Sequence, residues 1–174
     1  MMEDIVIIDD FLTEEELNHV SSSNSYEDGK WEIQHSFDVR SDHPLKKLDF
    51  NLGFLSKNLM GNEYYTSYLF NKIKKIFNQD YKLNNVYLNG REPQRDGSFH
   101  TDGDADRTVV LYFNSWQPAW GGFTHFMKSE KDHIIVAPIQ GRLINFKSDL
   151  IHKGYAFSNQ NCPMRITAAF KLLL

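Results

Sequence analysis

The chain has 174 residues, enough for one domain that buries about two thirds of its unfolded surface. Its 19 basic and 23 acidic residues give a net charge of −4, which speaks against a nucleic-acid-binding domain. Charged residues at 24% and hydrophobic residues at 41% exclude a disordered or collagen-like chain, and no apolar run approaches the ~18 residues of a membrane span. Aromatic residues reach 14%, which favours β-rich architecture and aromatic-lined pockets. A lone cysteine, Cys162, can form no internal disulfide and fits a reduced, cytoplasmic setting. The acidic start Met1-Met2-Glu3-Asp4 lacks the positive charge of a secretory leader, and neither end carries a lipidation signal.

Ile5-Val6-Ile7-Ile8 reads as a buried strand. Thr13 with Glu16 forms a capping box, which opens a helix from Glu14 to about Ser21 with Leu17 and Val20 on one face. Residues 24–44 are polar and irregular, with a short strand over Trp31 to Phe37, and suit a surface loop or lid. Leu45, Leu48, Leu52, Leu55 and Leu59 recur at helical spacing up to Gly61-Asn62. A further helix over Glu63 to Asn78 buries Tyr65, Leu69, Ile73, Ile76 and Phe77, and Lys72, Lys74 and Lys75 form a solvated face that suits the helix dipole.

From residue 82 the pattern is all strand. Val86 to Leu88, Thr108 to Phe113, Phe123 to Phe126, Ile134 to Val136, Leu143 to Phe146 and Arg165 to Leu172 are separated by Gly, Pro, Asn and Asp. Helices precede strands instead of alternating with them, which argues against a doubly wound parallel sheet. The expected class is α+β, one domain over 1–174. Residues 1–81 give a helical cover with an N-terminal strand, and 82–174 give a sandwich or jelly-roll core.

His100, Asp102 and His152 carry the chemistry. Residues two apart on extended chain point the same way, so His100 and Asp102 aim an imidazole and a carboxylate at one point. A second, distant His completes a facial triad, which leaves metal positions open for non-haem Fe(II) and oxygen chemistry. The alternative is a loop His, a turn Asp and an unrelated polar His. On the last strand Arg165 and Thr167 share a face, and a buried Arg among apolar residues needs a partner, which an anionic co-substrate would supply; the alternatives are an internal Asp or an exposed edge position.

These stretches resemble the 2-oxoglutarate- and Fe(II)-dependent dioxygenases, specifically the prolyl 4-hydroxylase-like group in its short bacterial or phage-encoded form. The matching segments are His100-Thr101-Asp102, Thr108 to Asn114, Trp120-Gly121-Gly122-Phe123-Thr124, Ala137 to Phe146, His152 and Arg165-Ile166-Thr167, in the family's order. The opening Ile5 to Leu17 also resembles that group's start. The resemblance implies a double-stranded β-helix with N-terminal helices packed on it, and His100, Asp102 and His152 as iron ligands. It implies Arg165 on the C5 carboxylate of 2-oxoglutarate, with Thr167 and Tyr112 beside it. It also implies Tyr87 as a further co-substrate contact, with core packing as the alternative for both tyrosines. Phe123 stands where many members have an acidic residue, and Arg165 where many have Lys. Asp102 is present, so hydroxylation is expected and halogenation is not.

The implied reaction hydroxylates an unactivated C–H bond, releases succinate and CO2, and uses Fe(II), 2-oxoglutarate and O2, with ascorbate as an accessory reductant. A prolyl residue in a protein or peptide is the expected substrate. The alternatives are a free amino acid or small metabolite under the same chemistry, or a cupin-like metal-binding module without oxygenase activity, which would need no Arg165. No nucleic acid or membrane partner is expected. Residues 24–37 and the loop Arg91 to Gly97 are candidates to frame the mouth. Trp31, Trp116 and Trp120 are substrate-packing candidates with a core role as the alternative.

Overall fold

The computed structural model describes residues 3–23, 31–34 and 54–174. The described strands form two antiparallel sheets, with few helices. The larger has seven strands in the order β1-β8-β5-β10-β4-β3-β2, and the smaller has three in the order β7-β6-β9. These are β1 (Ile5–Ile8), β2 (Glu32–Gln34), β3 (Phe54–Asn58), β4 (Lys82–Arg91), β5 (Arg107–Tyr112), β6 (Thr124–Met127), β7 (His133–Val136), β8 (Leu143–Lys147), β9 (Ile151–Gly154) and β10 (Arg165–Leu173). Helix α1 is Glu14–Ser23 and α2 is Phe70–Phe77, the latter preceded by a π-helical stretch, Tyr64–Leu69.

Alternation along the central strands assigns each face. On β10 the residues Ala168, Phe170 and Leu172 join Val86 and Leu88 of β4 and Val109 and Leu111 of β5. Val20 of α1, together with Tyr65, Leu69 and Ile73, covers that face. On the opposite face Tyr112, Ile144 and Phe146 pack with Phe126 and Val136 of the small sheet. The remaining residues of that face, Arg165, Thr167, Ala169 and Lys171 of β10 with Tyr87, Asn89 and Arg91 of β4, line a cleft of about 280 Å³. Successive side chains on a strand face opposite ways, so one strand supplies both a greasy layer and a polar cleft wall.

Several expectations need correction. Among the described strands, Ile5 to Ile8 is an edge strand paired with β8 alone, and Ile7 is exposed. The leucine period from 45 to 59 falls mostly outside the described residues, as does most of the 24–44 loop. Its end is not helical, because Phe54–Asn58 pairs with both β2 and β4. Ile76 is exposed although its spacing placed it on the buried side. Lys72 is no part of a solvated face: its Nζ donates to the Phe11 carbonyl at 2.6 Å and to both carboxylate oxygens of Glu16.

The capping box is present in full. The Thr13 N–H donates to Glu16 Oε2 at 2.7 Å and the Glu16 N–H to Thr13 Oγ1 at 3.2 Å. Glu16 also accepts from the Tyr68 hydroxyl at 2.9 Å, so one buried carboxylate ties α1 to the helix after it. Burial alone would raise its pKa, but the hydrogen bonds from Lys72, Thr13 and Tyr68 outweigh that and hold it below its usual value. A depressed folded pKa means that this contribution is complete above the unfolded value near 4.5 and is lost as pH falls through the folded value. Glu16→Gln should therefore lower unfolding stability at pH 7 by about 1–3 kcal/mol and flatten the acid limb of the stability curve, read by urea unfolding between pH 7 and 3.

Candidate metal and co-substrate site

The segment 97–102 lies alongside β9 and the turn before it. Gly97 N donates to Gly154 O at 3.0 Å, His100 and His152 exchange both backbone hydrogen bonds at 2.9 Å, and Asp102 N donates to Ser148 O at 2.8 Å. The two histidines are thus directly opposite neighbours in one antiparallel bridge. The strand β9 that carries His152 is an element that the sequence pattern did not single out, because only Ile151 in it is strongly β-forming.

One ligand atom from each of His100, Asp102 and His152 lies within 4.8 Å of the others. His100 Nε2 is 3.6 Å from Asp102 Oδ1, and His152 Nε2 is 3.5 Å from Asp102 Oδ2. Each His turns its other nitrogen to the carbonyl two residues back: His100 Nδ1 to Ser98 O and His152 Nδ1 to Leu150 O, both at 2.9 Å. A carbonyl only accepts, so each Nδ1 carries the proton and each Nε2 presents a lone pair toward Asp102. The His152 ring is further held by edge contacts with Phe146 at 4.7 Å and a tilted contact with Phe126 at 5.8 Å. Burial pushes the His152 pKa down to about 4 and that of His100 below its ordinary value, so both are neutral near pH 7. Two neutral imidazoles with oriented lone pairs and one carboxylate form a donor set that fits a divalent transition metal.

Asp102 is held ionised by its neighbours. Burial would raise its pKa, but the Lys171 ammonium beside it more than reverses this and leaves it well below the usual carboxylate range. Lys171 Nζ contacts Asp102 Oδ2, and Thr108 Oγ1 donates to the same oxygen at 2.7 Å. The sequence reading missed Lys171, although extending the alternation from Arg165 and Thr167 by four residues reaches it.

Arg165, 4% exposed, forms the other end of the cleft. Its Nε donates to Gly122 O at 2.8 Å, its Nη2 to Thr124 Oγ1 at 3.1 Å, and its guanidinium carbon sits 5.3 Å from the Tyr112 ring centre. The Tyr112 hydroxyl bonds Thr124 Oγ1 at 2.6 Å, so Tyr112 and Arg165 share Thr124, a residue that the sequence pattern does not single out. Thr167 is buried on the same cleft wall. Tyr87 lies toward the metal-ligand end, with Lys171 Nζ 5.7 Å from its ring centre, and not beside Arg165. Asn89 Oδ1 is buried in the cleft wall with no hydrogen-bond partner among the described residues.

Other expected features are structural. Gly121 and Gly122 have φ of 68° and 76°, as a tight turn requires. Trp116 Nε1 donates to Gly121 O at 2.8 Å, and the Trp120 ring packs on Phe157, so both indoles brace this turn. Arg142 clamps Asp9 at 2.6 and 3.1 Å. Arg91 is no loop residue: it ends β4 and is buried.

No family model matches the chain, and no curated protein matches its sequence. Solved structures do match its fold. A prolyl hydroxylase from Trichoplax adhaerens, in complex with a hypoxia-inducible-factor oxygen degradation domain peptide, superposes with a TM-score of 0.75 and 18% identity, covering 98% of this chain and 83% of that one. A 2OG-Fe(II) oxygenase family oxidoreductase from Burkholderia pseudomallei gives 0.72 and 11% identity, covering 98% and 85%. A Pseudomonas putida prolyl-4-hydroxylase gives 0.68 and 16% identity, covering 98% and 93%. The chain has the fold of 2-oxoglutarate- and Fe(II)-dependent oxygenases. Among the described residues, no helix is long and apolar enough to cross a membrane.

Removing one partner of a buried ion pair strands the other charge. Lys171→Met should destabilise the protein in chelator by about 3–5 kcal/mol, with a smaller loss once Mn(II) is added to face the orphaned Asp102, read by urea unfolding under both conditions.

Proposed function

We propose that this chain is a 2-oxoglutarate- and Fe(II)-dependent dioxygenase. Its residues 1–174 form a single catalytic domain whose two sheets make the double-stranded β-helix. The observation that carries this reading is a cleft with two chemically distinct ends. One end holds two neutral imidazoles and an ionised carboxylate converging within 4.8 Å, and the other a buried arginine. 2-Oxoglutarate has the matching form, a chelating oxo-carboxylate at one end and a carboxylate at the other.

His100, Asp102 and His152 would hold the iron through two imidazole nitrogens and one carboxylate, a donor set suited to Fe(II) and oxygen chemistry. Ser98 O and Leu150 O fix the two rings before metal arrives. Lys171 and Thr108 keep Asp102 deprotonated and oriented. Arg165, itself steadied by Gly122 O, Thr124 and the Tyr112 face, takes the C5 carboxylate, with Thr167 on the adjoining wall. Phe126 and Phe146 exclude water from the His152 side. The bound iron, with O2 and 2-oxoglutarate, supplies the oxidation that yields succinate, CO2 and a hydroxylated substrate.

A prolyl residue in a peptide or protein is the proposed substrate. Support comes from prolyl hydroxylases among the structural neighbours, one of them in complex with a peptide.

Anaerobic addition of Fe(II) and 2-oxoglutarate should produce a weak visible charge-transfer band. His100→Ala and His152→Ala should abolish both the band and iron retention; iron held at wild-type affinity in both would refute the triad. Arg165→Ala should raise the 2-oxoglutarate requirement by roughly 10- to 100-fold, the loss of a charge-assisted hydrogen-bond pair. Succinate release with a panel of proline peptides tests the substrate; release with free amino acids alone would replace it.

A further inference from the structure

Arg91 and Arg165 stand directly opposite each other on β4 and β10. Both are buried, at 8% and 4% exposure, and both line the cleft. Their guanidinium groups flank one glycine: a Cβ placed on Gly154 would lie 3.7 Å from Arg91 Nε and 3.7 Å from Arg165 Nη1. Gly97, tied to Gly154 O by its own N–H, leaves the remaining room, since a Cβ there would collide with the Arg91 guanidinium. Two buried like charges facing each other across a strand pair destabilise a sheet unless an anion lies between them.

The described residues do not supply that anion in full. Arg165 has Gly122 O and Thr124, but Arg91 donates no hydrogen bond to any described residue. It lies against the Phe54 ring at 5.2 Å and feels the charge of Asp96, whose Oδ1 accepts the Ala156 N–H. Burial, followed by the charge of Arg165, lowers the Arg91 pKa to about 10, so it remains a cation near neutrality. Among the described residues, Asp102 is the one carboxylate lining the cleft, and it is taken up by Lys171 and the histidines at the other end. The Arg91–Arg165 end therefore carries two cations with no acid of its own among the described lining residues.

We infer that Arg91 is a second anchor for the co-substrate, closing with Arg165 on one distal carboxylate and making the cleft select 2-oxo acids that carry a second acid group. The inference rests on the proposed 2-oxoglutarate reading. A carboxylate has four lone-pair sites and can accept from two guanidinium groups at once. The planar forks of the two arginines would fix its position from two sides, whereas Arg165 alone, with two of its nitrogens already engaged, leaves it free to pivot. Arg91 is thereby a positioning and selectivity residue.

The test is binding, without turnover. The full chain is loaded with Mn(II) without O2 and titrated calorimetrically with 2-oxoglutarate and with 2-oxopentanoate, which has the same chain length and chelating end but no distal carboxylate. Arg91→Met should weaken 2-oxoglutarate by roughly 10- to 100-fold and leave 2-oxopentanoate within about twofold, as Arg165→Met should. Should the Met variant fail to fold by circular dichroism, Arg91→Gln is read by the same criterion. Unchanged 2-oxoglutarate binding in the Arg91 variant, or equal weakening of both ligands, overturns the inference. If Arg165→Met alone loses selectivity, the co-substrate reading stands and Arg91 has no part in it. If the wild-type protein binds no 2-oxoglutarate, the co-substrate reading falls and takes the inference with it.

Discussion

Strand β10 is covered on both faces, and its two-residue period divides the molecule. Ala168, Phe170 and Leu172 face the helices, whereas Arg165, Thr167 and Lys171 face the cleft. A slip of one residue against β4 or β5 would turn the cations into the apolar layer and the apolar side chains into the cleft. Register is therefore the constraint on which everything else rests. Packing of Tyr65, Leu69 and Ile73 on one side and placement of the two charged ends on the other are consequences of the same pairing.

The metal-ligand end is preorganised by backbone geometry more than by side-chain packing. The His100–His152 bridge fixes the distance between the rings, and each ring is oriented by a carbonyl two residues back on its own chain. The same local device occurs on both sides of the bridge. The carboxylate between them is set differently, through Lys171 from β10 and Thr108 from β5. A nearby strand, β5, and a sequence-distant one, β10, thus meet at one carboxylate, and their pairing in the sheet sets its position.

Much of this was legible in the sequence. Strands announced themselves by β-branched runs, Thr13 and Glu16 by capping spacing, and the triad by two residues at i and i+2 with a distant His. The failures have physical causes. The helical period of the leucines ends in the strand Phe54–Asn58, because pairing with β4 and β2 overrides local periodicity in a short segment. Lys72 read as solvent-facing because charge is the usual mark of a surface, but a buried acid on α1 claims it. Arg91 read as a loop residue because Glu92-Pro93 follows it, whereas β4 runs up to it. Lys171 lies on the same alternation as Arg165 and Thr167, but a lysine in an apolar strand shows no role in the sequence until Asp102 is placed beside it.

The strand that comes last in the described chain sits in the middle of the large sheet, between β5 and β4. Among the described strands, the β1-β8-β5 group and the β4-β3-β2 group join through it alone in the hydrogen-bond ladder. Each half can pair within itself early, but the two halves cannot be joined until β10 inserts between them. Before that event both β5 and β4 present an open edge, a template for wrong pairing. Folding of this chain should thus be slow and late-completing in character, with the closing insertion as the step most exposed to aggregation. The same step brings Arg165 and Lys171 to the cleft, so the two ends of the candidate site come into being together with the finished sheet.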